Sequence, residues 1–68
     1  MLYDRPMEIG IGRYSNGNLY FTSMHPEFRK EFGERRDNIP PGCLYSIMED
    51  LATWANNDIG VGCVFYMD

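Results

Sequence analysis

With 68 residues and a formal net charge of −4, this chain is long enough for one small domain, spanning residues 1–68, and leaves no room for a second. Its hydrophobic share of 44%, with 15% aromatic residues, is sufficient for a packed core and excludes an intrinsically disordered chain. No apolar run is long enough for a secretory signal or a membrane span, so we expect a cytoplasmic protein without membrane contact.

The first element is a predicted β-hairpin. Residues 7–14 alternate apolar side chains with polar residues or glycine, and residues 19–24 are rich in aromatic and β-branched residues, so both segments are typical of strands. Ser15-Asn16-Gly17-Asn18 lies between them and supplies turn residues.

The length of the hairpin loop decides which side chains face the core. A two-residue turn at Asn16-Gly17 would divide the apolar side chains between the two faces of the sheet. A three-residue bulged loop over residues 15–17, with Gly17 left-handed, unites them on one face. We therefore predict the bulged loop. It pairs Arg13 with Leu19 and Ile11 with Phe21, and it turns Gly10, Gly12, Tyr14, Tyr20, Thr22 and Met24 outward.

A short helix is predicted after the hairpin. Met24-His25-Pro26-Glu27 is typical of a helix start, because proline is favoured at the first helical position. Phe28 and Phe32 then share one face, and Gly33 predicts the helix end. Residues 34–42 hold two prolines, a glycine and four charges, so we expect a loop there.

A longer helix and a last strand complete the predicted fold. Residues 43–57 place their apolar side chains on one half of a helical wheel, and Asn56-Asn57 is a plausible C-cap. Residues 60–67 alternate as a third strand, and Val64 and Tyr66 join the outward face if this strand pairs beside the hairpin. The expected fold class is α+β with the order ββααβ: a three-stranded, antiparallel-type sheet with one short and one long helix packed on one face.

Residues capable of catalysis or metal binding are scarce. His25 is the single histidine, and its position at a helix start favours a local structural role. Cys43 and Cys63 lack the paired spacing of a zinc site, and the sequence leaves open whether they form a disulfide. The glycine pairs in the predicted strands lack the third glycine of a dinucleotide-binding loop. We expect a protein that is not an enzyme and that needs no cofactor or metal.

Charge is distributed unevenly along the chain. Residues 1–36 carry six bases and five acids, whereas residues 37–68 carry five acids and no lysine or arginine. An acidic half disfavours direct nucleic-acid binding, since that binding depends on cations that displace counterions from phosphates. A protein partner that is basic or binds nucleic acids itself fits this charge better.

The outward face of the predicted sheet is the strongest candidate for an interaction surface. Tyrosine is enriched at protein interfaces because it offers a large contact area at low entropic cost. An RNA-binding sheet would surround its aromatic residues with lysine and arginine, and this face has no predicted charge except Glu8. The predicted partner-binding residues are Tyr14, Tyr20, Tyr66, Glu49, Asp50 and Asp58.

The leading hypothesis is a non-enzymatic protein-binding module, an inhibitor or adaptor that occupies the surface of a partner. Small, acidic domains without catalytic motifs are typical of virus-encoded inhibitors of host defence complexes, anti-CRISPR proteins among them, which would act in the host cytoplasm. Two alternatives are a DNA mimic built on the acidic half and a nucleic-acid-associated regulator. The regulator would use a basic cluster of Arg29, Lys30, Arg35 and Arg36. An exposed edge strand and a tyrosine face would equally suit a homodimer.

Overall fold

The computed structural model describes residues 5–67, which form one four-stranded sheet and two α-helices. The sheet order is β3-β2-β1-β4. The chain therefore has the predicted α+β class with one more strand than expected. The elements are β1 (Met7–Arg13), β2 (Leu19–Thr22), α1 (Pro26–Phe32), β3 (Arg35–Ile39), α2 (Leu44–Trp54) and β4 (Cys63–Met67).

The hairpin of β1 and β2 has the predicted register. Arg13 lies opposite Leu19, and Ile11 lies opposite Phe21. Ile11, Leu19 and Phe21 are all almost fully buried, so uniting the apolar side chains on one face does select this register.

The hairpin loop is the predicted three-residue one. The Tyr14 N–H donates to the Asn18 carbonyl at 2.8 Å, and the Gly17 N–H donates to the Tyr14 carbonyl at 3.0 Å. Gly17 has a φ of 93°, a region that glycine enters without a steric penalty. The Asn16 side chain also accepts a hydrogen bond from the Asn18 N–H at 3.0 Å.

Helix α1 begins and ends where the sequence predicted. Pro26 is its first residue, and the Nδ1 atom of His25 accepts a hydrogen bond from the Glu27 N–H at 3.2 Å. The imidazole therefore caps the helix, which is the local role expected of it. At the other end, the Gly33 N–H donates to the Arg29 carbonyl at 2.9 Å.

The segment predicted as a loop over residues 34–42 contains strand β3, and that prediction is wrong. Strand β3 pairs antiparallel with β2, with Arg35 opposite Thr22 and Ile39 opposite Leu19. Because β3 lies at the edge of the sheet, one of its faces and one of its backbone sides meet solvent, so its charged residues are tolerated there. Asn38 interrupts its regular geometry with a φ of 61°.

The second helix differs from the prediction at both ends. A 3₁₀ turn at Pro41–Cys43 precedes α2, and a π-helical turn at Ala55–Ile59 follows it. The C-cap predicted at Asn56-Asn57 is wrong, because both residues lie inside the π-helical turn. The turn ends at Gly60, whose N–H donates to the Ala55 carbonyl at 2.8 Å.

Strand β4 runs parallel to β1, so the antiparallel-type sheet was predicted incorrectly. Strand β3, which the sequence analysis missed, explains why β4 runs in this direction. Strand β3 carries the chain to the far end of the sheet and α2 brings it back, so β4 begins at the same end as β1. Cys63 lies opposite Met7, and Tyr66 lies opposite Gly10.

Both helices cover the same face of the sheet. Phe28 of α1 and Leu51 of α2 are buried in one cluster with the apolar side chains of β1 and β2, and the rings of Phe32 and Trp54 meet at 5.1 Å between centroids. Neither helix is long and apolar enough to cross a membrane, within residues 5–67. The buried hydrophobic residues are Met7, Ile9, Ile11, Leu19, Phe21, Phe28, Ile39, Leu51, Ala55 and Val61.

Candidate interaction surface on the open face of the sheet

The face of the sheet opposite the helices is the candidate site, and we call it the open face. Side chains alternate across a strand, so the register of the four strands fixes which residues lie there. The prediction from the hairpin register covers most of them, and β3 adds two charged residues. The open face consists of Glu8, Gly10, Gly12, Tyr14, Tyr20, Thr22, Arg35, Asp37, Val64 and Tyr66.

Tyr20 lies flat against the backbone of β1 because Gly12 has no side chain. A Cβ atom at Gly12 would stand 2.2 Å from the Tyr20 Cζ atom, well inside the van der Waals distance. The ring covers Gly12, which is buried although it lies on the side of the sheet that neither α1 nor α2 covers. The position of Tyr20 is thus set by its own strand pairing and by the missing side chain opposite it.

Tyr14 and Arg35 hold Tyr20 from two further directions. The rings of Tyr14 and Tyr20 meet at 4.8 Å between centroids with an interplanar angle of 41°. The guanidinium carbon of Arg35 lies 4.7 Å from the Tyr20 centroid, within range of a cation–π interaction.

Hydrogen bonds connect the same group to β3. The Nη1 atom of Arg35 donates to the Tyr14 hydroxyl at 3.2 Å, and that hydroxyl donates to the Oδ1 atom of Asp37. The hydrogen bond with Tyr14 raises the pKa of Arg35 above its ordinary value, so the guanidinium stays charged. Two rings, a cation and a carboxylate therefore form one connected cluster, which we call the Tyr–Arg cluster (Tyr14, Tyr20, Arg35 and Asp37).

Tyr66 lies on the other side of β1 from the Tyr–Arg cluster. It pairs with Gly10, which in turn pairs with Thr22, so these three residues form a row across the sheet. The Tyr66 side chain is 52% exposed. Because Gly10 has no side chain, only Thr22 and Tyr66 contribute side chains to this row.

The predicted acidic contact residues lie elsewhere. Glu49 and Asp50 are exposed on α2, and Asp58 is exposed in the π-helical turn. Helix α2 covers the opposite face of the sheet, so the structure does not bring these three acids together with the tyrosines. The predicted partner-binding set is divided between two sides of the molecule.

The predicted basic cluster is also dispersed. Arg29 and Lys30 are exposed on α1, and the Arg29 guanidinium lies 3.9 Å from the Met24 sulfur. Arg35 lies on the open face, whereas the Arg36 guanidinium carbon lies 5.5 Å from the Phe32 ring on the helix side. Neighbours along a strand point to opposite faces, so Arg35 and Arg36 do not share a surface.

The cysteines are not bonded to each other, and both are free thiols. Cys43 is exposed, while the Cys63 thiol lies 3.9 Å from the Leu51 carbonyl under α2. Burial raises the pKa of the Cys63 thiol. Within residues 5–67, no group of three or more histidine, cysteine or acidic side chains is arranged to hold a metal ion.

Sequence reasoning missed Arg35 and Asp37 as members of the open face. Their two-residue spacing places them on one side of a strand, and this is the signal that could have located them. The segment lacks the alternating apolar residues that mark a buried strand, so the spacing alone did not predict one.

Comparisons with protein-family models, curated proteins and solved structures found no match to this chain.

Proposed function

We propose that this protein is a non-enzymatic binding module whose open face occupies the surface of a protein partner, as an inhibitor or adaptor. The observation that carries the proposal is the Tyr–Arg cluster, which lies on a sheet face that no described helix covers. Tyrosine and arginine are the residue types most enriched, with tryptophan, among residues that dominate binding energy at protein interfaces.

The fixed geometry of the Tyr–Arg cluster supports the same proposal. Binding costs less free energy when the contacting side chains already hold one conformation, because less rotamer entropy is lost. Tyr20 is held by Gly12, Tyr14 and Arg35, and Tyr14 is held by Arg35 and Asp37. The cluster is therefore organised before any partner arrives.

The charges of the molecule favour a partner that is basic or that itself binds nucleic acids. The net charge is −4, and the open face carries Glu8 and Asp37 against Arg35. This balance does not favour direct binding to a phosphate backbone. A small acidic inhibitor of a host defence complex, encoded by a virus and acting in the host cytoplasm, is the specific form of the proposal that we would examine first.

Affinity capture with matched tyrosine variants tests the proposal. The bait proteins are the wild type, a triple variant with Tyr14→Ser, Tyr20→Ser and Tyr66→Ser, and the control Tyr45→Ser. Tyr45 is an 81% exposed tyrosine of α2, on the helix side. We expect the wild type and the Tyr45→Ser control to capture the same protein from a bacterial lysate, and the triple variant to lose it.

Retention of that protein by the triple variant would refute the open face as the binding surface. Since removal of two packed rings could unfold the chain, circular dichroism checks each variant. Tyr14→Phe provides a milder second variant, because it removes only the hydroxyl that contacts Arg35 and Asp37. It should weaken binding to the purified partner by about two- to tenfold, the net worth of one hydrogen bond.

A further inference from the structure

Strand β4 is an edge strand whose outer side has no paired strand within residues 5–67. Its side chains are correspondingly less covered than those of β1. Phe65 is half-buried, whereas Ile9, its partner across the pair, is fully buried. Tyr66 and Met67 are 52% and 60% exposed. Among the described residues, the strand therefore presents both an unpaired backbone side and exposed apolar surface.

The pairing with β1 shows which backbone groups face outward. The Met7 N–H donates to the Gly62 carbonyl at 2.7 Å. Alternate residues of a strand direct their backbone groups to the same neighbour, so Val64 and Tyr66 also face β1. The N–H and C=O groups of Cys63, Phe65 and Met67 therefore point away from the sheet, and we call these groups the β4 edge.

The opposite edge of the sheet is protected against added strands, and the β4 edge is not. Strand β3 carries three charged residues, has a left-handed residue at Asn38 and is followed by Pro40. Its pairing with β2 also contains a register shift. These are the devices by which proteins block edge pairing. Strand β4 has no charge, no proline and no such shift.

The surroundings of the β4 edge indicate what would pair with it. Glu8 flanks β4 on the open face, and Asp58 lies in the turn that leads to β4. Helix α2, which carries the exposed Glu49 and Asp50, approaches β4 where the Leu51 carbonyl lies 3.9 Å from the Cys63 thiol. Residues 37–67 contain no lysine or arginine, and Arg5 and Arg13 stand at the two ends of β1. Two copies joined through this edge would bring like charges together, whereas a basic strand would be attracted.

We infer that the β4 edge is a docking site for an extended segment of another protein that is rich in lysine or arginine and adds to the sheet as a fifth strand. The backbone groups of Cys63, Phe65 and Met67 supply the hydrogen bonds, as in other cases of strand addition. The surrounding acids select the basic segment. This site uses backbone groups at the edge of the sheet and does not involve the Tyr–Arg cluster.

A peptide titration of the isotope-labelled full chain tests the inference. The probe is a short synthetic peptide in which Lys and Val alternate. One control peptide has Glu in place of Lys, and a second has an N-methyl group on every backbone amide, so that neither of its edges can donate the hydrogen bonds of a strand. We expect the Lys-Val peptide to shift the amide signals of Cys63, Phe65 and Met67 and to slow their hydrogen exchange. The N-methylated peptide should bind at least about tenfold more weakly.

Charge variants of the protein provide a second measurement. Glu49→Lys with Asp50→Lys should weaken binding of the Lys-Val peptide several-fold. The matched double variant Glu31→Lys with Glu34→Lys, on the β3 side of the molecule, should leave it within about twofold of wild type. A change at Tyr14 or Tyr20 should also leave it unchanged, which separates this site from the Tyr–Arg cluster.

Three outcomes would overturn the inference. The first is equal binding of the N-methylated peptide, which would mean charge attraction without strand pairing. The second is shifts confined to residues outside β4. The third is a solution mass of two chains together with exchange protection of Cys63, Phe65 and Met67 before any peptide is added, which would make a second copy the occupant.

Discussion

Gly12 decides the shape of the open face through the side chain that it lacks. The Tyr20 ring occupies the space where a Cβ atom would stand, and Tyr14 and Arg35 then pack on that ring. Gly10 lies on the same face of the same strand, yet a Cβ atom there would meet the Thr22 methyl carbon at 3.5 Å and the Thr22 carbonyl oxygen at 3.9 Å, both ordinary contact distances. The two glycines therefore form a matched pair of which only one positions an aromatic ring.

Alanine substitutions at these glycines should have different effects. Gly12→Ala forces the Tyr20 ring away from the sheet, and we expect a free energy of unfolding about 1 kcal/mol lower than that of Gly10→Ala. It should also weaken partner binding, because the contact with Arg35 is lost. Denaturant unfolding and near-UV circular dichroism measure the two effects. Equal stability and equal spectra for the two variants would contradict this account of Tyr20.

The pH dependence of stability should report on the Cys63 thiol. Burial raises its pKa above the ordinary value of 9.0, so the unfolded chain loses this proton at a lower pH than the folded one. The contribution is fully present below the unfolded pKa and is lost as pH rises through the folded pKa. We therefore expect Cys63→Ala to show a shallower decline of unfolding free energy above pH 9.0 than wild type.

Cys43→Ala is the matched control for that measurement, because Cys43 is exposed. It should keep the wild-type slope above pH 9.0. If Cys63→Ala also kept that slope, the thiol under α2 would not be the group that titrates.

At the scale of elements, β3 depends on one unusual backbone position. Asn38 adopts a φ of 61°, which asparagine and glycine tolerate and β-branched residues do not. We expect Asn38→Val to lower the free energy of unfolding by about 1–2 kcal/mol and Asn38→Gly to leave it within about 0.5 kcal/mol of wild type. Denaturant unfolding of the two variants measures this difference, and equal loss in both would contradict a left-handed role for Asn38.

The sequence predicts those elements whose pattern and turn chemistry agree. The hairpin could be predicted in full, because one register alone buries Ile9, Ile11, Leu19 and Phe21 together. Helix α1 could be predicted because its proline start and glycine end are local signals.

The remaining elements depend on contacts with other strands and helices, which the local sequence pattern does not encode. Strand β3 consists of polar residues up to Ile39, and it forms because β2 offers it a free side. The direction of β4 follows from β3, so one missed strand produced two errors. The helical segment ends at Gly60 and not at Asn56 or Asn57, because a π-helical turn follows α2. Such a turn leaves no periodic signal in the sequence.

The same limit applies to the candidate site. Tyr14 and Tyr20 could be placed on the open face from the hairpin register, and Tyr66 from strand alternation. Arg35 and Asp37 could not, because their places there follow from strand β3. We expected Glu8 to be the only charged residue of the open face, but Arg35 and Asp37 lie there as well. Both of these residues form hydrogen bonds with the Tyr14 hydroxyl and fix its orientation.

At the scale of the whole molecule, the two sides of the sheet have different roles. One side is covered by α1 and α2 and holds the hydrophobic core. The other side keeps its aromatic and charged side chains accessible, in an arrangement that strand pairing fixes. The proposed protein partner binds on this second side, which no described helix covers.

Tyrosine signals in NMR show on which side of the sheet the partner binds. The protein is labelled with carbon-13 in its tyrosine rings, and the purified partner captured by the wild type is added. We expect the ring signals of Tyr14, Tyr20 and Tyr66 to shift or broaden while the signal of Tyr45, on the exposed side of α2, stays in place. A change at Tyr45 with unchanged signals from Tyr14 and Tyr20 would refute binding on the open face and place the partner on the helices.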